Sequence, residues 1–291
     1  MPTAPANGIE ICYDTFGQPV NPALLLVMGL GGQMTAWEPD FCEALANAGF
    51  HVIRFDNRDT GLSTKMESAP PPDIGKAMTG DMSSASYTLW DMADDAVGLL
   101  DHLHLERAHI VGASMGGMIV QAIAIRHPHR VISMTSIMST TGNPNVGQAT
   151  PAAMTALMAP PATSRDEAIE RGKQSARIVG SPGYPAGDEV VAARIARDFD
   201  RCFYPIGVAR QMLAVMATGD RSEALNTVTA PTLVIHGEDD PLVTLSGGQA
   251  TAAAIPGARL VTFPGMGHDL PASLRAKFVE VITGHAASVP G

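Results

Sequence analysis

A serine hydroxyl becomes a nucleophile only when a base takes its proton and a carboxylate orients that base. One serine in this chain stands in a sequence suited to presenting it. A β-branched run ending at Val111 stops at Gly112-Ala113-Ser114-Met115-Gly116, and an apolar, helix-compatible stretch follows at once through Arg126. Strand, Gly-x-Ser-x-Gly, helix is the pattern of a sharp turn that lifts a serine hydroxyl above a parallel sheet. Gly112 and Gly116, two residues before and two after the serine, keep side chains from colliding in that turn. The helix after Ser114 aims its free N–H groups at the same point, so the N–H of Met115 would meet an oxyanion formed there. Partners are available downstream in His236-Gly237-Glu238-Asp239-Asp240-Pro241 and in Pro264-Gly265-Met266-Gly267-His268. By residue type Asp239 and Asp240 compete for the carboxylate role. The Gly-flanked loop around His268 lets its ring reach over Ser114. His236 reads instead as a hydrogen-bonded core histidine, and Asp269 as a solvated helix-start residue.

These residues must be held by strands and helices, and the chain alternates between the two. Ile9–Phe16 reads as an edge strand. Ala23–Met28 is a continuous apolar run, as in a strand covered on both faces of a parallel sheet, and it empties into Gly29-Leu30-Gly31-Gly32. Further strands are expected at His51–Phe55, Ala108–Val111, Val131–Met138, Thr232–His236 and Arg259–Phe263. Helices are expected at Ala36–Ala48, Thr88–Leu103, near Ser246–Ala254 and at Ser273–Gly284. Thr88 and Asp91 resemble a capping box with Asp in place of Glu or Gln. Lys65–Ser86 reads as an irregular surface loop near the mouth of the site. From Thr140 to about Ala224 no sheet strand is apparent. Pro-rich joints there separate the helical segments Ala152–Met158, Arg165–Val179, Asp188–Arg201 and Gly207–Ala217. The fold class is therefore α/β, a doubly wound, mostly parallel sheet with a helical cap inserted after the sixth strand. Residues 1–139 and 225–291 form the core, and residues 140–224 the cap.

Composition bounds the function. The chain has 291 residues, 45% hydrophobic and 16% charged, and a net charge of −10. That balance, with no basic run, argues against nucleic acid as a partner and gives no sign of a stable membrane anchor. Cys12, Cys42 and Cys202 lie far apart without metal-ligand spacing, which suggests reduced thiols and a cytoplasmic location. The N-terminus lacks the basic and apolar regions of a signal peptide. The groups His102/His104/His109 and His127/His129 have no supporting carboxylates and read as solvated histidines rather than metal ligands. Met28, Met115, Met154, Met158, Met212 and Met216 suit an acyl pocket that adapts to varied chains.

The stretches Val27-Met28-Gly29, Asp56-Asn57-Arg58-Asp59-Thr60-Gly61-Leu62-Ser63, Gly112–Gly117, Gly237-Glu238-Asp239-Asp240-Pro241 and Gly265-Met266-Gly267-His268 occur in one order. On these, the chain resembles the α/β-hydrolase superfamily over nearly its whole length. It looks most similar to capped serine esterases such as aclacinomycin methylesterase and mycobacterial esterase/lipase-type hydrolases. The resemblance implies Ser114 as nucleophile, His268 as general base and acid, and Asp240, just before the proline, as the carboxylate. It places the second oxyanion donor at Leu30, with Gly29 as alternate, beside Met115. Many relatives carry His-Gly where this chain has Met28-Gly29, which removes a side-chain anchor for the loop but not the backbone donor. The Asp56–Ser63 stretch, usually Asp-x-Arg-Gly-x-Gly-x-Ser, departs at Asp59, with Thr60 beside it, and reads as an ion-pair and turn network. The implied activity is carboxylic ester hydrolysis with no metal or organic cofactor, and the composition of the cap favours a small-molecule ester that is apolar or medium-sized over a sugar or nucleotide. A perhydrolase (cofactor-free haloperoxidase), a thioesterase or carbon–carbon hydrolase, and a non-catalytic ligand-binding relative share the constellation. Epoxide hydrolases and haloalkane dehalogenases carry Asp where Ser114 stands.

Overall fold

The computed structural model describes residues 1–289. Eight strands form one sheet: β1 (Thr3–Ala6), β2 (Ile9–Phe16), β3 (Ala23–Val27), β4 (His51–Phe55), β5 (Ala108–Ala113), β6 (Val131–Ile137), β7 (Thr232–Gly237) and β8 (Arg259–Phe263). Their spatial order is β1-β2-β4-β3-β5-β6-β7-β8. The β1–β2 and β2–β4 pairings are antiparallel, and every later pairing is parallel. The sequence reading makes β2 the edge. The structure corrects this, because Thr3-Ala4-Pro5-Ala6 adds an outer strand. Small residues and a proline hide that strand in the sequence, yet an edge tolerates a proline because one side of its ladder is unpaired.

The helices are α1 (Pro39–Asn47), α2 (Ile74–Met78), α3 (Leu89–His102), α4 (Met115–Arg126), α5 (Pro151–Leu157), α6 (Arg165–Val179), α7 (Asp188–Arg201), α8 (Pro205–Thr218), α9 (Ser222–Leu225), α10 (Leu245–Ala254) and α11 (Arg275–Ala287). The central strand β3 is apolar throughout because the sheet is covered on both faces there. All five residues of β3 are buried. Leu25 and Val27 join α3 and α4 in one core, while Leu24 and Leu26 join Phe41 and Leu45 of α1 and Phe278 and Ile282 of α11 in the other. Alternate side chains of a strand point to opposite faces, so a strand between two helical layers has no polar face to show. Thr88 and Asp91 do form a capping box at the start of α3, with the Thr88 N–H donating to Asp91 Oδ2 over 2.8 Å.

Helices α5 to α8 lie between β6 and β7 in the chain. Residues of α5, α7 and α8 (Met154, Val190, Met212) line a cavity of about 690 Å³ together with Ser114 and His268. The Lys65–Ser86 segment contributes nothing to this cavity. It packs behind α8, where Arg210 Nη2 donates to Ala69 O and α2 touches α8. The expectation that it borders the mouth is corrected accordingly. Among the described residues no helix is long and apolar enough to cross a membrane.

Two further expectations change. His109 is not solvated. It is buried on β5, accepts or donates one hydrogen bond of 2.8 Å between Nδ1 and Ser133 Oγ, and stands edge-on to Phe50. Burial lowers its pKa to about 4. His127 is half-buried and meets Asp94 through Nε2 at 2.7 Å, whereas His102, His104 and His129 are exposed as expected.

Candidate active site

Ser114 ends the turn between β5 and α4 with φ 56° and ψ −121°. That left-handed backbone is costly for a residue with a Cβ, on the order of 1–3 kcal/mol, and persists only where the surroundings over-determine it. The glycines on either side show how. A methyl group on Gly112 would lie 2.1 Å from the Gly116 carbonyl oxygen, and one on Gly116 would lie 2.1 Å from the Val27 carbonyl oxygen. Strand, turn and helix are in backbone contact there, and the space excludes any side chain.

Above the turn three side chains form one relay. Ser114 Oγ lies 2.9 Å from His268 Nε2, and His268 Nδ1 lies 2.7 Å from Asp240 Oδ2. The other oxygen of Asp240 accepts from the backbone N–H groups of Leu242 and Val243, each at 2.9 Å. A carboxylate in that setting is acceptor-only, so Nδ1 of His268 carries the proton and Nε2 is left to accept from the serine hydroxyl. The Asp240 side chain is fully buried and that of His268 is nearly so. The loops carrying them follow β7 and β8, at the carboxyl ends of the strands where open α/β sheets gather their sites.

The neighbouring candidates have other partners. Asp239 is exposed, and its Oδ2 accepts from Gly265 N at 2.8 Å, bracing the turn that leads to His268. His236 is fully buried, with Nε2 2.7 Å from Val243 O. Burial lowers its pKa. Asp269 is not the solvated helix-start residue expected. It is half-buried and hydrogen-bonded to Ser181 Oγ in the α6–α7 loop, and burial raises its pKa. Ser181 Oγ also accepts from Gly267 N at 2.9 Å, and His268 N donates to Val179 O at 2.7 Å. The inserted helices thus grip the histidine loop directly.

Leu30 and Met28 line the same cavity as Ser114 and His268. The chain closes a turn there, with Gly32 N donating to Gly29 O at 3.1 Å. Among the described residues, neither the Leu30 N–H nor the Met115 N–H has a protein acceptor. Gly29, the alternate donor, packs against Ser114, where an added methyl would come within 3.0 Å of the serine Cβ. Just upstream of the loop, Asn57 Nδ2 donates to Met28 O at 2.9 Å.

The Asp56–Ser63 stretch is a buried network. Asp56 takes N–H donors from Met34 and Leu62 and an ion pair from Arg201 at 2.7 Å. Arg58 makes two bonds of 2.6 Å to Asp95. Asp59 adopts φ 64° and accepts from Tyr87 Oη and Met66 N, each at 2.8 Å. A short carboxylate tolerates that backbone better than most side chains.

The cavity is mostly apolar. Met28, Met115, Met154 and Met212 line it as expected. Met158 and Met216 do not, while Met118 and Met138 do. Of its charged lining, Glu38 and Arg275 pair with each other. Among the described residues no three His, Cys, Asp or Glu side chains gather as metal ligands, and the three cysteines are unpaired. Sequence reasoning missed Gln211 and Ser181, single polar residues without a motif, and gave Asn57, inside the Asp56–Ser63 stretch, no contact with the Met28 loop. Of the first two only Gln211 gave a signal, as a glutamine within the largely apolar helix Pro205–Thr218.

The family can now be stated. The profile of the alpha/beta hydrolase fold family matches residues 22–272. This chain belongs to the α/β-hydrolase family. It is 28% identical over 312 aligned positions to rhodomycin D methylesterase DnrP of Streptomyces peucetius, with 98% of each chain covered. The enol-lactonase from Burkholderia xenovorans LB400 superposes with a TM-score of 0.75 at 26% identity, covering 98% of this chain and 100% of the other. The meta-cleavage product hydrolase CumD of Pseudomonas fluorescens IP01 superposes with a TM-score of 0.80 at 20% identity, covering 99% and 98%, which speaks for the fold alone. The doubly wound fold read from the sequence is the one observed.

Proposed function

We propose that this α/β hydrolase cleaves carboxylic esters through an acyl-enzyme on Ser114. The observation that carries the reading is the unbroken relay from Ser114 Oγ to His268 Nε2 at 2.9 Å and from His268 Nδ1 to Asp240 Oδ2 at 2.7 Å. As Ser114 Oγ attacks the ester carbonyl carbon, its proton passes to His268 Nε2. Asp240 holds the imidazole in the required tautomer and stabilises the imidazolium. The former carbonyl oxygen carries the negative charge of the tetrahedral intermediate and is met by the N–H groups of Leu30 and Met115. Collapse breaks the carbon–oxygen bond to the alcohol, which leaves with the proton from His268. Water then attacks the acyl-enzyme, giving its proton to the same imidazole. The acid leaves as Ser114 Oγ regains that proton.

The apolar, methionine-lined cavity of about 690 Å³ favours a medium-sized apolar ester, a typical size for a small-molecule site. A rhodomycin D methylesterase and an enol-lactonase among similar proteins are consistent with ester or lactone cleavage. Residues 140–224 serve as a cap over a core made by residues 1–139 and 225–291. The three free thiols fit a reducing compartment such as the cytoplasm.

The test is Ser114→Ala assayed on a short-chain nitrophenyl ester. Turnover is expected to fall at least about 10³-fold, with the circular dichroism spectrum unchanged. Undiminished turnover in the folded variant rules the assignment out.

A further inference from the structure

We propose that Gln211, on the inserted helix α8, is the positioning residue that fixes the oxyanion loop. This inference rests on the reading above, in which the Leu30 N–H stabilises the tetrahedral oxygen. Gln211 is fully buried in a helix whose other inward residues are largely apolar. All of its polar atoms are engaged, and they join two loops. Oε1 accepts from Gly31 N at 2.8 Å, while Nε2 donates to Arg58 O at 2.8 Å and to Thr60 Oγ1 at 2.6 Å. One end therefore grips the residue after Leu30 and the other the turn after β4. Only an amide of this length offers acceptor and donor together.

The turn it grips is one that has two forms. Residues Gly29 to Gly32 close a hydrogen-bonded turn, and Gly31, at the third position, has φ 65°. Positive φ at that position is the type II form, which differs from type I by a flip of the central peptide. The central peptide joins Leu30 to Gly31, and its N–H is the group held by Gln211 Oε1. A flip would break that bond inside a buried site. On the near side Gly29 already abuts Ser114, and on the far side Gly31 abuts Val208 of α8, where an added methyl would come within 3.0 Å. Asn57 fixes the chain just upstream through Met28 O. Leu30 is thereby bracketed, with Gln211 of the inserted helices hydrogen-bonded to the residue next to the donor.

Gln211→Leu keeps the volume and removes every hydrogen bond. In the full-length protein, turnover is counted per active site titrated with a fluorophosphonate. Binding of an alkylboronic acid, which forms a tetrahedral adduct on Ser114, is compared with binding of a neutral ketone of the same alkyl chain. Loss of one oxyanion donor typically costs about 10²–10³ in rate, so displacing one is expected to lower kcat about tenfold or more. Boronate affinity should fall in parallel, while KM and the ketone affinity stay within about twofold. A purely structural role would lower the melting temperature and leave kcat per titrated site intact. A fall in kcat of less than about fivefold, or an equal loss of ketone affinity, overturns the proposal. If Gln211→Leu does not fold, Thr60→Val decides, since it removes one of the two anchors of Nε2. A fall in kcat of at least about twofold at unchanged KM is then expected, and a smaller one overturns it. Turnover and boronate binding by the parent protein, both lost in Ser114→Ala, test the underlying reading separately. Their absence would sink that reading and this inference together.

Discussion

At the scale of single residues, Asp239 and Asp240 have the same side chain, one position apart, and opposite surroundings. Asp240 is buried, takes two backbone N–H donors and faces His268. Asp239 is exposed and braces Gly265. Asp240→Asn should disturb the imidazole tautomer and lower kcat about 10⁴-fold, whereas Asp239→Asn should keep kcat/KM within about tenfold. Steady-state kinetics on one nitrophenyl ester separate the two. His109 yields a pH prediction. Its folded pKa is about 4, below the ordinary value near 6.5, so the unfolded chain binds the extra proton between those values. Its contribution to stability is complete above about pH 6.5 and is lost as pH falls toward 4. On the order of 2 kcal/mol should be gone by pH 5. Urea unfolding at pH 7 and pH 5 should show His109→Gln losing less between the two than the parent; equal losses would contradict this. The serine and histidine candidates were legible because glycines flank them. The burial of His109 was not, because a polar residue in a strand covered on both faces carries no local mark of which helix covers it.

At the scale of elements, the turn bearing Ser114 depends on three backbones in contact. Gly116→Ala would drive a methyl to 2.1 Å from the Val27 carbonyl, which neither β3 nor α4 can relieve without moving. Such overpacking typically costs about 1–3 kcal/mol. The melting temperature should fall by several degrees, and turnover should fall with it because the shift is transmitted to Ser114; a variant with parental values for both would contradict the account. Most elements could be read from sequence because period and composition agree. The bounds of β2, β4, β8, α6 and α7 coincide with those expected. Strand β1 escaped because Thr3-Ala4-Pro5-Ala6 has no β-branched run. The place of Lys65–Ser86 escaped because nothing local to it says that α8 will cover it.

At the scale of the whole molecule, the relay joins segments far apart in the chain, with Ser114 and His268 separated by 154 positions. Two loops at its sides are held by the inserted helices, the histidine loop through Ser181 and the Leu30 loop through Gln211. The sequence announced a helical insertion by its prolines and missing strands. It did not announce those grips, since Ser181 and Gln211 find their partners only after the sheet has set the distances. The central claim is that this assembly turns the Ser114 hydroxyl into a nucleophile. Intact-mass and peptide-mapping analysis after treatment with a fluorophosphonate tests it most directly. The account predicts one adduct per chain, on Ser114, lost in His268→Ala; an unmodified Ser114, or labelling at another serine with ester turnover intact, would contradict it.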